Sequence, residues 1–423
     1  MHKIKTIVKK LLVFRFGPKA LVFLVGCFFC FLGYGKENSF PLVYELIDTG
    51  GSDVYLNGVR GVFDKKKNYG GGHVRTFQID NIKYYSKKKL KRRTQNDIIK
   101  FGFVFESFQN AVSTVIASRI LNHIFSGTDK RFPVVFLGYD PNDEQVAFYF
   151  ISQDINAYNN LVFRTVYDHC IQEQKETALF CKGEEELKDL AILYVGLYLV
   201  GGGDPHSQNI VYSYEKNHFG SIDLDDAFKS HVSKDIKKEK SYHRGKESST
   251  ALLDFDCDSP LKNFLIETKS GDLKNKYISY TCDCPPPKFE KVMTKEDKDK
   301  MKIYLTPEKL LEAMKYIIES SDIEGLKSII DSVIETIEKV PQFKFYFDNK
   351  YLLEEIQNAE KEHSYFFLSS DDFKYYIKGF LGERYQFMKC LVLKYNSCWY
   401  GCKEENTLKN WCEECKNKIK IDL

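Results

Sequence analysis

The chain has 423 residues, 43% of them hydrophobic and 15% aromatic, which suffices for two or three packed domains and excludes a wholly disordered protein. Its 62 basic residues stand against 59 acidic ones, so the net charge of +3 makes no global case for nucleic-acid binding. Charge is informative only locally, and there it is uneven.

The first segment reads as a targeting signal. Lys3, Lys5, Lys9, Lys10, Arg15 and Lys19 form a basic flank, Ala20 to Leu32 an apolar run, and Gly33-Tyr34-Gly35 a small-x-small cleavage pattern. The run is shorter than the ~20 residues of a comfortable membrane span. A cleaved export signal over residues 1–35 is therefore the first expectation and an uncleaved anchor the second. The protein is expected to be secreted or membrane-anchored. Of twelve cysteines, Cys27 and Cys30 fall in this signal, and the remaining even count in an exported chain suggests disulfides.

Residues 40–100 read as short strands separated by turn chemistry. Asn57-Gly58 follows Val54-Tyr55-Leu56 as a hairpin signal, and Asp80-Asn81 turns the strand from Val74 to Ile79 into Ile82-Lys83-Tyr84-Tyr85. Gly70-Gly71-Gly72 precedes that strand; its backbone amides could cradle phosphate, or form a plain turn. Six of the seven residues from Lys87 to Arg93 are basic. Phe108, Val112, Val115, Ile116, Ile120 and Ile124 recur at helical spacing after Glu106, and residues 134–137 and 146–151 read as two more strands.

A helical pattern from Glu184 to Val200 leads into Gly201-Gly202-Gly203. Two short strands are expected next, Asn209 to Tyr214 and Ser221 to Leu224, and then a charged loop over 229–249. Beyond it Thr306 is a candidate N-cap before Pro307 and Glu308, with Leu310, Leu311, Met314, Ile317 and Ile318 as the apolar stripe. Further helices are expected at 324–338, 350–362 and 371–395. Strands first and helices afterwards give an α+β class.

The chemistry concentrates in Gly203-Asp204-Pro205-His206-Ser207-Gln208-Asn209-Ile210 and in Ile222-Asp223-Leu224-Asp225-Asp226-Ala227-Phe228. Phosphoryl transfer needs a carboxylate to orient the attacking hydroxyl and oxygen ligands to hold magnesium against the phosphates. An Asp and an Asn five residues apart, with a second Asp on the next strand, supply those parts. This double motif resembles the catalytic and metal-binding loops of phosphatidylinositol 3-/4-kinases, Gly-Asp-Arg-His-x-x-Asn-Ile followed by Ile-Asp-x-Gly-x-x-Phe, and those of divergent bacterial effector kinases.

The resemblance implies a bilobal protein-kinase-like fold, with an N-lobe over 36–155, a helical C-lobe over 156–395 and a Cys-rich tail over 396–423. It implies Asp204 as catalytic aspartate and Asn209 and Asp223 as magnesium ligands, with ATP as the nucleotide. The chain departs from the family at Pro205, where a basic residue is usual, and at Leu224-Asp225, where an aromatic or His precedes Gly. The phosphate-contacting lysine is assigned to Lys87, with Lys83 second, and its helix partner to Glu106. Ala117-Ser118-Arg119 resembles an effector-kinase helix motif in which a glutamate stands at the place of Thr114. Gly70, Gly71 and Gly72 are candidate phosphate cradles. Ile151 belongs to the candidate adenine hinge.

Cations in the loop after Phe228 suit either an anionic headgroup and membrane surface or a solvated insertion. The acceptor is expected to be a protein hydroxyl or an inositol lipid, and no nucleic acid is expected as partner. Two other readings stand beside this one: a catalytically weak scaffold that binds a partner protein or anionic lipid, and a metal-dependent hydrolase using Asp204, His206, Asp223 and Asp225. At the end of the chain, Cys398, Cys402, Cys412 and Cys415 match either four thiolates of a structural zinc or two disulfides, and export favours the disulfides.

Overall fold

A computed structural model describes residues 41–64, 74–90, 98–125, 131–143, 146–157, 162–165, 184–201, 209–213, 215–224, 227–228, 307–348, 367, 369–397 and 405–422, without the side chains of 90, 98–106, 146, 157, 307, 348, 405–409 and 420–422. All of these except Pro41 belong to one compact unit, Leu42–Leu423. The fold is mixed, with a sheet-rich N-terminal region and a helical C-terminal region.

The N-terminal strands are β1 (Val43–Asp48), β2 (Asp53–Leu56), β3 (Val59–Phe63), β4 (Val74–Ile79) and β5 (Ile82–Leu90), followed after a helix by β6 (Val135–Tyr139) and β7 (Val146–Gln153). Both expected turns are made as read. Asn57 and Gly58 have φ of 49° and 79°, and Asp80 and Asn81 have φ of 49° and 66°. Paired positive φ angles give the turn twist that matches two antiparallel strands. What the strand patterns did not announce is closure: β1 pairs antiparallel with β2 and parallel with β6, so the strands form a barrel in the order β1-β2-β3-β4-β5-β7-β6.

Strand parity sorts the side chains. Leu46, Val54, Phe77, Phe136 and Ile151 face the barrel interior and are buried. There Phe77 stacks on Tyr84 at 5.1 Å and meets Phe63 edge-on at 5.8 Å. The opposite parity of β5, β6 and β7 faces outward and carries Lys87, Leu137, Phe148 and Phe150.

The outer face of β6 and β7 packs on helix α1 (Ile98–Ile124). All six apolar residues expected on this helix are buried. Phe108 is its anchor, touching Phe148 of β7 at 5.4 Å and, from the helical region, Phe343 and Tyr346 at 5.3 and 4.4 Å. Helix α2 (Glu184–Val200) has the bounds its pattern predicted and is buried all round from Leu190 onward, as a central helix must be. A small sheet, β8 (Arg164–Thr165), β9 (Ile210–Ser213) and β10 (His218–Ser221), follows it. The second of the expected strands therefore lies earlier than read, because Asn217 at φ 55° turns the chain and sets His218 opposite Ser213.

The helical region comprises α3 (Pro307–Ser320), α4 (Ile323–Glu338), α5 (Pro341–Asp348), α6 (Ser370–Ser397) and α7 (Glu405–Asp422). Asp322 caps α4 by accepting from the amides of Glu324 and Gly325. Cys415 of α7 is bonded to Cys390 of α6, a partner that the Cys spacing had not singled out, and Cys412 is disulfide-bonded as well. Those two sulfurs are thus engaged in disulfides. Among the described residues no helix is long and apolar enough to cross a membrane. The signal segment, Gly70 to Gly72, the charged loop after Phe228, the helix expected at 350–362, Cys398 and Cys402 lie outside the described residues.

Candidate functional site

Helix α2 delivers the chain to the site. Its last turn closes with Gly201 donating to the Tyr198 carbonyl at 3.0 Å, and Gly201 takes φ 65°. A side chain is excluded there: an added Cβ would come within 2.7 Å of the Phe380 ring. Asp204 follows three residues later, outside the described residues. Asn209 then opens the β9–β10 hairpin and is buried, while Asp223 lies just past its other end and is exposed.

Hairpin pairing joins those two ends. Ser221 is opposite Ile210, and the Ile222 amide donates to the Asn209 carbonyl at 2.9 Å. Asn209 and the residue preceding Asp223 are therefore directly hydrogen-bonded. The backbones of Asn209 and Asp223 thus lie at one end of a short hairpin, and their side chains, an amide and a carboxylate, are of the types a hard cation such as magnesium takes as ligands.

The loop after Asp223 turns sharply. The Ala227 amide donates to the Leu224 carbonyl at 3.0 Å, and the Phe228 amide reaches back to the Val200 carbonyl at 2.7 Å. Leu224 is buried, and its carbonyl also accepts from the Thr114 hydroxyl of α1 at 3.3 Å. Thr114, the position where the resemblance would have a glutamate, thus holds the backbone beside Asp223 and offers no carboxylate to a lysine.

Behind the hairpin lies a charged hub. Asp189 of α2 accepts from Arg131 at 2.5 Å and from the Phe219 amide at 2.8 Å, and His218 lies 3.6 Å from the same carboxylate. The Arg131 carbonyl in turn accepts from Ser221 at 3.1 Å. These bonds fix β10 to α2, and so fix where Asp223 emerges.

Lys87 lies on the outward parity of β5, paired with Phe150 of β7, and its ammonium is 6.0 Å from the Phe150 ring centre. This is the face on which α1 packs. Lys83 shares it, further along, 5.1 Å from the Tyr85 ring centre. Glu106 belongs to α1, but its side chain lies outside the described residues. Ile151 is a correction. It pairs with Ser86 and Phe136 on the interior parity and is wholly buried in the barrel, so its side chain faces no ligand, and its outward-facing neighbours on β7 are Phe150 and Ser152.

Beyond β7 the structure adds residues that the sequence reading did not single out. Ile155, Phe163 and Val211 make a small apolar cluster separate from the main core. The Asn156 side chain holds it together, accepting from the Phe163 amide at 2.7 Å and donating to its carbonyl at 3.2 Å. The Tyr85 hydroxyl donates to Asp154 at 3.1 Å, and the Asp154 amide donates to the Lys83 carbonyl. Period-two counting could have found two of them. Tyr85 is two residues before Lys87 on the same face, and Val211 is two after Asn209.

No protein-family model and no curated protein matches the sequence. Among solved structures the chain is similar to the proinflammatory kinase CtkA of Helicobacter pylori, with 13% identity over 83% of this chain and 96% of that one, at a TM-score of 0.36. At that identity and overlap the likeness carries neither mechanism nor substrate to this chain.

Proposed function

We propose that the protein is an ATP- and magnesium-dependent phosphotransferase of bilobal, kinase-like architecture, whose acceptor is a protein hydroxyl or an inositol lipid. The observation that supports this reading is the hairpin closure: the Ile222 amide bonded to the Asn209 carbonyl joins the backbone at Asn209 to the residue before Asp223.

The surrounding placement is in keeping with it. Lys87 stands on the α1-facing side of the barrel, on a strand paired with the hinge strand β7, as a phosphate-contacting lysine requires. The buried apolar cluster of Ile155, Phe163 and Val211 ties the chain that follows β7 to β9, and so to the hairpin that carries Asn209. Asn209 and Asp223 would hold the magnesium, which when bound offsets charge on the nucleotide phosphates. Asp204 would orient the acceptor hydroxyl and take its proton as the oxygen attacks phosphorus. Lys87 would steady the phosphates, with Glu106 as the acid that holds the lysine. This chemistry asks for positioning and charge more than covalent participation.

The test is direct. Purified protein with labelled ATP and magnesium is offered a protein mixture or inositol-lipid vesicles. Asp223→Ala should reduce labelling by about 10²-fold or more while leaving the melting temperature close to that of the wild type. Equal labelling by both proteins would overturn the reading.

A further inference from the structure

The segment that carries Asn209 and Asp223 begins and ends at one junction. Gly201 at its start and Phe228 at its end both have positive φ, 65° and 56°, and both lie against Phe380 of α6. The Phe228 amide closes the segment onto the Val200 carbonyl at 2.7 Å. A left-handed backbone at Phe228, which has a Cβ, is strained and persists only when its surroundings hold it.

Helix α6 supplies that hold. The buried Tyr376 hydroxyl donates to the Phe228 carbonyl at 3.0 Å. Two turns further along, Arg384 donates to the Tyr198 carbonyl at the end of α2, its guanidinium 4.5 Å from the Tyr198 ring centre and 4.2 Å from that of Phe380. One helix therefore grips the entry to the segment through Arg384 and its exit through Tyr376. Both bonds are to backbone carbonyls, so they set the course of the chain and leave its side chains free for chemistry.

We propose that Tyr376 is a positioning residue that fixes Asp223 through Phe228, an inference that rests on the phosphotransferase reading. Its hydroxyl touches no reacting atom. It keeps Phe228 left-handed, and thereby keeps the Phe228 amide on the Val200 carbonyl and the Ala227 amide on the Leu224 carbonyl, next to Asp223 in the chain. Arg384 does the same at the glycine end.

The test uses Tyr376→Phe, which removes one oxygen and keeps the ring in the core, beside Tyr375→Phe, an exposed neighbour on the same helix. Two quantities are read in each: kcat and KM for magnesium-ATP, and amide hydrogen exchange across 222–228. Tyr376→Phe should lower kcat roughly ten-fold with KM for ATP within about two-fold, and should speed exchange at 227–228 about ten-fold. Tyr375→Phe should match the wild type in both. Unchanged exchange at 227–228 in Tyr376→Phe, or an unchanged kcat alongside faster exchange, overturns the positioning role. A wild type without ATP turnover would sink the phosphotransferase reading instead, and exchange would still decide whether the hydroxyl braces the turn.

Discussion

The barrel and the segment from Gly201 to Phe228 are both made of short strands and tight turns, yet they are held by different means. In the barrel, the β2–β3 and β4–β5 pairs are joined by two-residue turns whose chemistry lies in the turn itself, Asn57-Gly58 and Asp80-Asn81. In the site segment the decisive bonds come from far away: Thr114 reaches Leu224 across 110 residues, Tyr376 reaches Phe228 across 148, and Arg384 reaches Tyr198 across 186. Hairpins built from neighbours can form without regard to the site. A site built from distant braces can be disturbed without unfolding the barrel.

The strongest way to break that separation is to hollow the barrel. Phe77 is wholly buried on the interior parity, the face opposite to Lys87. Phe77→Ala should cost about 3–5 kcal/mol of stability, seen as a lower midpoint in denaturant. Measured well below its melting temperature, the variant should keep its KM for ATP. A large rise in KM would mean that the barrel interior and the outward face that carries Lys87 are coupled, and the two regions are not separable as described.

Thr114→Val probes the other side of the comparison with a smaller expected effect. The substitution nearly preserves shape but leaves the Leu224 carbonyl without its hydroxyl donor in a buried place. A cost of about 0.5–1.5 kcal/mol follows, since the carbonyl keeps the Ala227 amide and loses only its second donor. Labelling of acceptor should fall more than the melting temperature suggests, because the lost bond sits next to Asp223. If stability falls and turnover per folded molecule does not, the Thr114 contact is structural only.

This difference in means also decides what was legible in the sequence. Local chemistry was: the two turns, the bounds of α2, and the buried stripe of α1 could all be read from neighbouring residues. The strand–turn–strand between Asn209 and Asp223 was legible because neighbouring residues make that hairpin. Long-range pairing was not. Closure of the barrel depends on β1 lying beside β6, with Val43 opposite Leu137, and no spacing rule speaks across such a gap. Ser221 to Leu224 read as strand, but of these only Ser221 belongs to β10, and Leu224 is buried with its carbonyl bonded to Thr114 of α1. Ile151 was chosen for its place in an apolar run, and the parity that turns it inward depends on which face of β7 receives α1. Cys390 was passed over because its partner Cys415 lies 25 residues away, outside any short cysteine spacing.

The smallest prediction is the cleanest, because it isolates the local half of the comparison. Gly58 sits at φ 79°, and an added Cβ would meet nothing within 4 Å. Gly58→Ala therefore tests backbone conformation alone. Alanine in that region costs roughly 1 kcal/mol, so the melting temperature should drop by a few degrees with kcat and KM unaltered. Gly201 has a similar φ but faces the Phe380 ring at 2.7 Å, so the same substitution there adds a collision to the strain. Gly201→Ala should accordingly lose more stability than Gly58→Ala and should lose turnover as well, since the collision pushes on the junction from which the site segment hangs. Equal losses at the two glycines would mean that the brace from α6 yields freely, and the contrast between a locally built barrel and a remotely braced site would not hold.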